Sequence, residues 1–284
     1  MANAILLISC PDRKGLVKEI SSFIGENDGN IVNFDQHIDE QTKTFLARVE
    51  WDLKDFKIPR EEIKEAFQEI ANKFSMNFRL SFSDEVKKVA VFVSKQEHCF
   101  YDLMHRFKSG ELKGEVKLVI SNHENAKKTA EFFGVPFYHI PKNKQNKLEA
   151  EQKELALLKK YEIDLVVLAR YMQILSPNFV KQYESRIINI HHSFLPAFPG
   201  AKPYERAFRK GVKIIGATAH YVNEELDQGP IIEQDVIRVN HKDSLQDFIR
   251  KGKDLEKVVL ARAIKWHLED KILVYNGKTV VFEG

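Results

Sequence analysis

Apolar and polar positions change rhythm several times along this chain of 284 residues. Residues 4–9 form an apolar run stopped by Pro11, and Leu16, Val17, Ile20, Phe23 and Ile24 then recur at the spacing of one helix face. A turn at 27–30 follows. Two stretches, 31–39 and 44–52, read as a hairpin pair, 61–74 as a second amphipathic helix and 76–82 as an alternating strand. The order βαββαβ predicts a ferredoxin-like unit, a four-stranded antiparallel sheet with two helices on one face.

The short charged stretch 84–88 suits a linker. Beyond it, apolar runs stand at 89–93, 116–120, 137–140, 165–169 and 187–190, the first four separated by helical segments that include 100–107, 125–133 and 147–161. Strands of this kind predict a doubly wound, mostly parallel α/β sheet, whose ligands sit beyond the carboxyl ends of the strands. A long helix over 244–269 and a short strand pair, 271–275 and 279–282, close the sequence. Two domains are expected, 1–83 and 89–284. The hydrophobic content of 43% is enough to close more than one core.

Charge narrows the partners. The 44 basic and 41 acidic residues leave +3, without a basic block or a basic stripe interleaved with aromatics, so nucleic acid is not an expected partner. Cys10 and Cys99 make neither a CxxC pair nor a set at zinc spacing, so a reduced, cytoplasmic protein with no disulfide framework and no metal is expected. There is no leader pattern at the start and no run near the roughly 20 apolar residues of a membrane helix. Neither secretion nor a membrane partner is expected.

The chemistry concentrates between residues 187 and 230. An apolar run ends in Asn189, Ile190 and His191, a Pro-rich turn spans 195–203, and an acidic turn holds Asp227, Gln228, Gly229 and Pro230. An amide can donate to a carbonyl oxygen that gains charge. An imidazole with a pKa of ~6.5 can move a proton at neutral pH, and a carboxylate can orient it. Such a trio suits attack on a carbonyl by a bound water or an amine. Each residue also has a plain reading as a cap or turn former. Sequence alone leaves open whether His191 or His192 faces the pocket, with Ser193 nearby, and whether His220 joins it.

Two resemblances bear on these residues. Cys10-Pro11-Asp12-Arg13-Lys14-Gly15-Leu16, with Gly29-Asn30-Ile31 after the first helix, resembles an ACT regulatory domain. That implies an amino-acid effector near the Gly15 turn and at sheet edges shared between subunits. Asp12, Gly15 and Asn30 are the candidate contacts, glycine and methionine the candidate effectors, and a homodimer or homotetramer the assembly. A plain helix start, with Asp12 solvated and Gly15 easing the turn, fits the same residues.

The second resemblance covers roughly 89–271. The run 189–200 (NIHHSFLPAFPG), then Gly216-Ala217-Thr218-Ala219-His220 and 224–232 (EELDQGPII), is similar to the formyltransferases that use 10-formyltetrahydrofolate. It implies that Asn189, His191 and Asp227 are catalytic. It also implies that Met172, Gln173, Ile174 and Leu175, within 169–175 (ARYMQIL), line a folate pocket, with Tyr171 and Phe198 flanking its entrance. Ordinary core packing is the plain alternative for those apolar positions.

The acceptor is read from the loop after the strand at 89–93. In the glycinamide ribonucleotide branch that loop is rich in Gly, Ser and Asn and suited to a phosphate. Here Ser94-Lys95-Gln96-Glu97-His98-Cys99 has no Gly and carries a Glu. The methionyl-tRNA branch carries its extra domain at the other end. An ACT-like half before a formyltransferase-like half is similar to the deformylase branch, which implies hydrolysis of 10-formyltetrahydrofolate to tetrahydrofolate and formate with no tightly bound cofactor. A transferase with a small amine acceptor and an inactive folate- or amino-acid-binding regulator are the alternatives.

Overall fold

The structure is a computed structural model that describes residues 2–197, 200 and 202–283. Two compact units emerge. One is built from residues up to Glu85 together with those from Glu269 onward, the other from Val86–Leu268. No helix among the described residues is long and apolar enough to cross a membrane.

The first unit runs β1 (Asn3–Pro11), α1 (Leu16–Glu26), β2 (Asn30–Asp39), β3 (Thr44–Asp52), α2 (Ile63–Phe74) and β4 (Asn77–Phe82). Its sheet has the order β2-β3-β1-β4 with every neighbouring pair antiparallel. Ile20, Phe23, Ile63 and Phe67 of the helices pack against Leu6, Ile8, Val49 and Trp51 of the strands. Gly15 starts α1 at φ +96°, a conformation that a side chain resists.

β1 is apolar without interruption from Ala4 to Ile8 because its other face is covered too. Leu7 and Leu46 pack with Leu273 of the hairpin Ile272–Tyr275 and Lys278–Val281 and with Phe282, which follows it. Tyr275 donates to Asp39 at 2.8 Å, and the buried Arg48 donates from Nε to the Asp270 carbonyl at 3.0 Å. The terminal strands, expected with the second domain, therefore belong to the first unit. Adjacency in sequence to the long helix misassigns them, whereas their apolar positions match a stripe on β1 and β3.

The expected effector contacts do not converge within one chain. Asn30 lies opposite Asp52, which lies opposite Asn3, whereas Pro11, next to Asp12, lies opposite Thr44. Asp12 and Gly15 thus sit at one end of the sheet and Asn30 at the other, roughly 25 Å away at about 3.3 Å per residue along β1.

The second unit contains β5 (Lys87–Val93), α3 (His98–Ser109), β6 (Gly114–Ser121), α4 (Lys127–Phe132), β7 (Phe137–His139), α5 (Lys147–Lys160), β8 (Leu165–Ala169), α6 (Pro177–Gln182) and β9 (Ile187–His191). It continues with α7 (Pro203–Lys210), β10 (Ile214–Tyr221), β11 (Ile231–Arg238) and α8 (Leu245–Leu268). β5 begins inside the stretch expected as linker. The sheet order is β11-β10-β9-β8-β5-β6-β7. The last five are parallel neighbours, and β10 and β11 add an antiparallel edge. β8 is buried at every position, as a strand sandwiched on both faces must be.

Candidate active site

β5 has β6 on one side and β8 on the other, so the winding reverses there and a crevice opens beyond the carboxyl ends of β5 and β8. Ser94 follows β5, and the segment 171–176 follows β8 after Arg170, a non-glycine residue at φ +62°. Ser94 Oγ donates to Asn122 Oδ1 at 2.5 Å and accepts from the Met172 N–H at 3.3 Å. Met172, Gln173, Ile174 and Leu175 form one wall of a cleft of about 240 Å³ that Asn189, His191 and Asp227 also line. Met172 and Ile174 are 55% and 60% exposed, so core packing does not explain them; Leu175 is buried. Tyr171 is buried as well, its hydroxyl donating to Glu154 at 2.8 Å, and Phe198 lies outside the described residues.

Asn189 and His191 are two apart on β9, so their side chains share one face of the strand. His220 lies directly across from Asn189 on β10. Its Nδ1 faces the Tyr221 carbonyl at 2.8 Å and can only donate there, so Nε2, which burial keeps unprotonated by lowering the ring's pKa, accepts from Asn189 Nδ2 at 3.1 Å. One N–H of the Asn189 amide is thereby occupied and the other left for a ligand. His220 orients the amide.

Asp227 stands at φ +59° in the turn between β10 and β11. Its Oδ2 lies 3.3 Å from His191 Nδ1 and accepts from the Gly200 N–H at 3.3 Å. Burial pushes its carboxyl upward, but the hydrogen bond and charge of His191 and the Gly200 N–H outweigh burial and hold it below the usual carboxylate range. Among the described residues, His191 Nε2 is buried without a hydrogen-bond partner. The arrangement offers one amide N–H, one imidazole nitrogen and an ionised carboxylate along one cleft.

His192 takes a different role. Its ring meets Tyr204 edge-on at 5.7 Å, and burial, followed by the charge of Arg170, pushes its pKa down to about 3. Behind it lies a network that no sequence spacing announced. The buried Glu256 of α8 accepts from Tyr204 at 2.5 Å, lies 2.8 Å from His98 Nε2 and pairs with Arg170 Nε at 3.5 Å. One signal existed: Glu256 occupies the stripe of Phe248, Gly252 and Leu260 that α8 buries, where an apolar residue is the default. His98, Cys99 and Glu256 bring three potential ligand atoms within 4.8 Å of one another. Cys99 is protonated, since burial raises its pKa well above the usual value, and Arg170 lies beside Glu256, so this donor set suits hydrogen bonding better than a cation.

A pH dependence follows from His192. Its pKa is about 3 when folded and 6.5 for the ordinary group, so below 6.5 the unfolded chain binds a proton that the native chain refuses. Stability therefore falls as pH drops from 6.5 toward 3, by up to ~1.4 kcal/mol per pH unit for such a group. Urea midpoints at pH 7 and pH 5 should separate, and His192→Gln should shrink the separation. An equal separation in that variant would remove His192 as the cause.

Comparison with known proteins extends the geometry. Residues 87–264 match the formyl transferase family and residues 4–72 the ACT domain. The fold and cleft thus define a formyl transferase unit joined to an ACT domain. A formyltetrahydrofolate deformylase of Synechocystis sp. is 55% identical over 98% of each chain, and one of Bacillus subtilis is 48% identical over 98% of this chain and 93% of that one. The crystal structure of a formyltetrahydrofolate deformylase from Pseudomonas syringae superposes with a TM-score of 0.97 at 46% identity, covering 100% of this chain and 95% of that one. A glycinamide ribonucleotide transformylase of Symbiobacterium toebii matches 72% of this chain and 98% of its own, with a TM-score of 0.67 at 27% identity. The chain belongs to the formyltetrahydrofolate deformylase family.

Proposed function

We propose that this protein hydrolyses 10-formyltetrahydrofolate to tetrahydrofolate and formate in the cleft lined by Asn189, His191 and Asp227. The convergence of these three side chains beside the exposed Met172 and Ile174 carries the reading. The folate substrate lays its pteridine along residues 172–175 and brings the formyl group to the trio. Asn189 Nδ2–H and the Nε2–H of a His191 imidazolium, its Nδ1–H held by Asp227, donate to the formyl oxygen as it becomes an oxyanion. Asp227 holds a water whose oxygen bonds to the formyl carbon while its proton passes to the carboxylate. The C–N10 bond then breaks, N10 takes a proton by way of His191, and formate leaves; exchange with solvent resets both groups. Donors already in place for the developing charge are the largest contribution in such acyl transfers.

Water is favoured over an amine by the loop after β5. Glu97 accepts from Asn125 Nδ2 at 2.8 Å and from Thr129 Oγ1 at 2.9 Å, and His98 is engaged by Glu256. Glu97 of the loop and Glu256 of α8 occupy the donors there, where a phosphate-bearing amine needs them free. Incubation of the protein with 10-formyltetrahydrofolate in buffer free of amines should release one formate per tetrahydrofolate. Tetrahydrofolate that forms only when an amine is added, with the formyl group on the amine and no formate, would assign a transferase, and no turnover under any condition would assign a regulator. The ACT half is read as the seat of an amino-acid effector, glycine or methionine, in a cytoplasmic homodimer or homotetramer. Because Asp12 and Gly15 lie far from Asn30 in one chain, such a site needs Asn30 from a second copy.

A further inference from the structure

We propose that Lys142, Glu151 and Glu154 are positioning residues that hold the segment 171–176 ready for folate, an inference that rests on reading the cleft as the folate site. Glu151 and Glu154 are three apart on α5 and share one helix face. Both are buried, and the Lys142 side chain between them is 1% exposed. Lys142 Nζ lies 2.8 Å from Glu154 Oε2 and 3.8 Å from Glu151 Oε1. The two carboxylates also reach the two ends of the segment. Glu154 Oε1 accepts from the Tyr171 hydroxyl at 2.8 Å, and Glu151 Oε1 accepts from the Ser176 N–H at 3.0 Å. Ser176 in turn caps α6, accepting from the Phe179 N–H at 3.2 Å.

Stability alone is a poor reason for such a cluster. Burying a cation and two carboxylates carries a large desolvation penalty, and apolar residues of similar volume often serve a core as well or better. What the charges add is direction. The segment belongs to no helix or strand, and between the buried Tyr171 and Leu175 it exposes Met172 and Ile174, so few packed contacts restrain that middle stretch. Tied at Tyr171 and Ser176, and at Met172 by Ser94, it presents its wall before the ligand arrives. A ligand that meets an ordered wall avoids the cost of ordering it.

The experiment uses the full-length protein and two probes: tetrahydrofolate for direct binding by fluorescence titration, and 10-formyltetrahydrofolate for KM and kcat. Tyr171→Phe removes one tie and keeps the ring; Glu151→Ala removes the other. Each should raise the tetrahydrofolate Kd and the KM about tenfold, the ~1.4 kcal/mol of one lost hydrogen bond, with kcat within about twofold. Glu151→Gln should recover most of the affinity, because its amide oxygen still accepts from Ser176. If the unaltered protein does not bind tetrahydrofolate, the folate reading fails and takes this inference with it. If it binds and both variants bind within about twofold of it, whatever their denaturation midpoints, only the positioning role is overturned. Should Glu151→Ala fail to fold, Tyr171→Phe decides the matter alone.

Discussion

Asp227→Asn is expected to lower kcat by about 10³-fold or more while leaving tetrahydrofolate affinity within about threefold. The substitution keeps the size of the side chain and one acceptor oxygen, so the turn between β10 and β11 has no reason to move. It removes the charge. His191 Nδ1 then lies 3.3 Å from an amide, which does not stabilise the imidazolium whose Nε2–H donates to the oxyanion. The same change deprives the attacking water of its base. Single-turnover formate release, measured beside a tetrahydrofolate titration, checks both halves of the expectation. A variant within tenfold of the starting rate would exclude Asp227 from the chemistry.

Gly229→Ala is expected to destabilise the protein by about 3 kcal/mol, at the upper end of overpacking costs. A Cβ there would stand 1.7 Å from the Tyr221 carbonyl oxygen and 2.8 Å from its carbon, both backbone atoms that cannot swing aside. The turn must lift away from β10, stretching the Tyr221 N–H bond to the Pro230 carbonyl, now 2.9 Å. Asp227 moves with it, so turnover should also fall about 10²-fold, the usual consequence of misplacing a reacting group by about 1 Å. Denaturant midpoints and kcat measured together test this. Gly25→Ala is the control, since a Cβ there meets nothing within 4 Å. Matching midpoints for the two variants would show that the Gly229 turn yields more easily than its contacts imply.

The legible parts of this chain share a physical cause. β1, α1, β3 and β8 were readable because burial of one or both faces leaves a period in the sequence. β10 and β11 were not read as strands. Gly216, Ala217 and Ala219 are poor strand formers on their own, and Glu233 and Asp235 place charge on an edge strand, as edges tend to. Asn189 and His191 stood out because two residues at one strand end share a face. The link from His191 to Asp227 came through family resemblance, and the structure brings their atoms to 3.3 Å. Glu256, His98 and Arg170 come from distant parts of the sequence and meet only after folding. The end of the chain was misassigned because nothing in its own pattern says which sheet it will cover.

The path of the backbone has a consequence for taking the molecule apart. The polypeptide leaves its first unit near Glu85 and comes home at Glu269, so that unit is a clasp closed by both termini. A single nick in either crossing leaves the clasp fastened by the remaining one. A fragment cut at Glu85 would bare the greasy stripe of Leu7 and Leu46 to water, so the ACT half is autonomous only with its far-end ribbon restored.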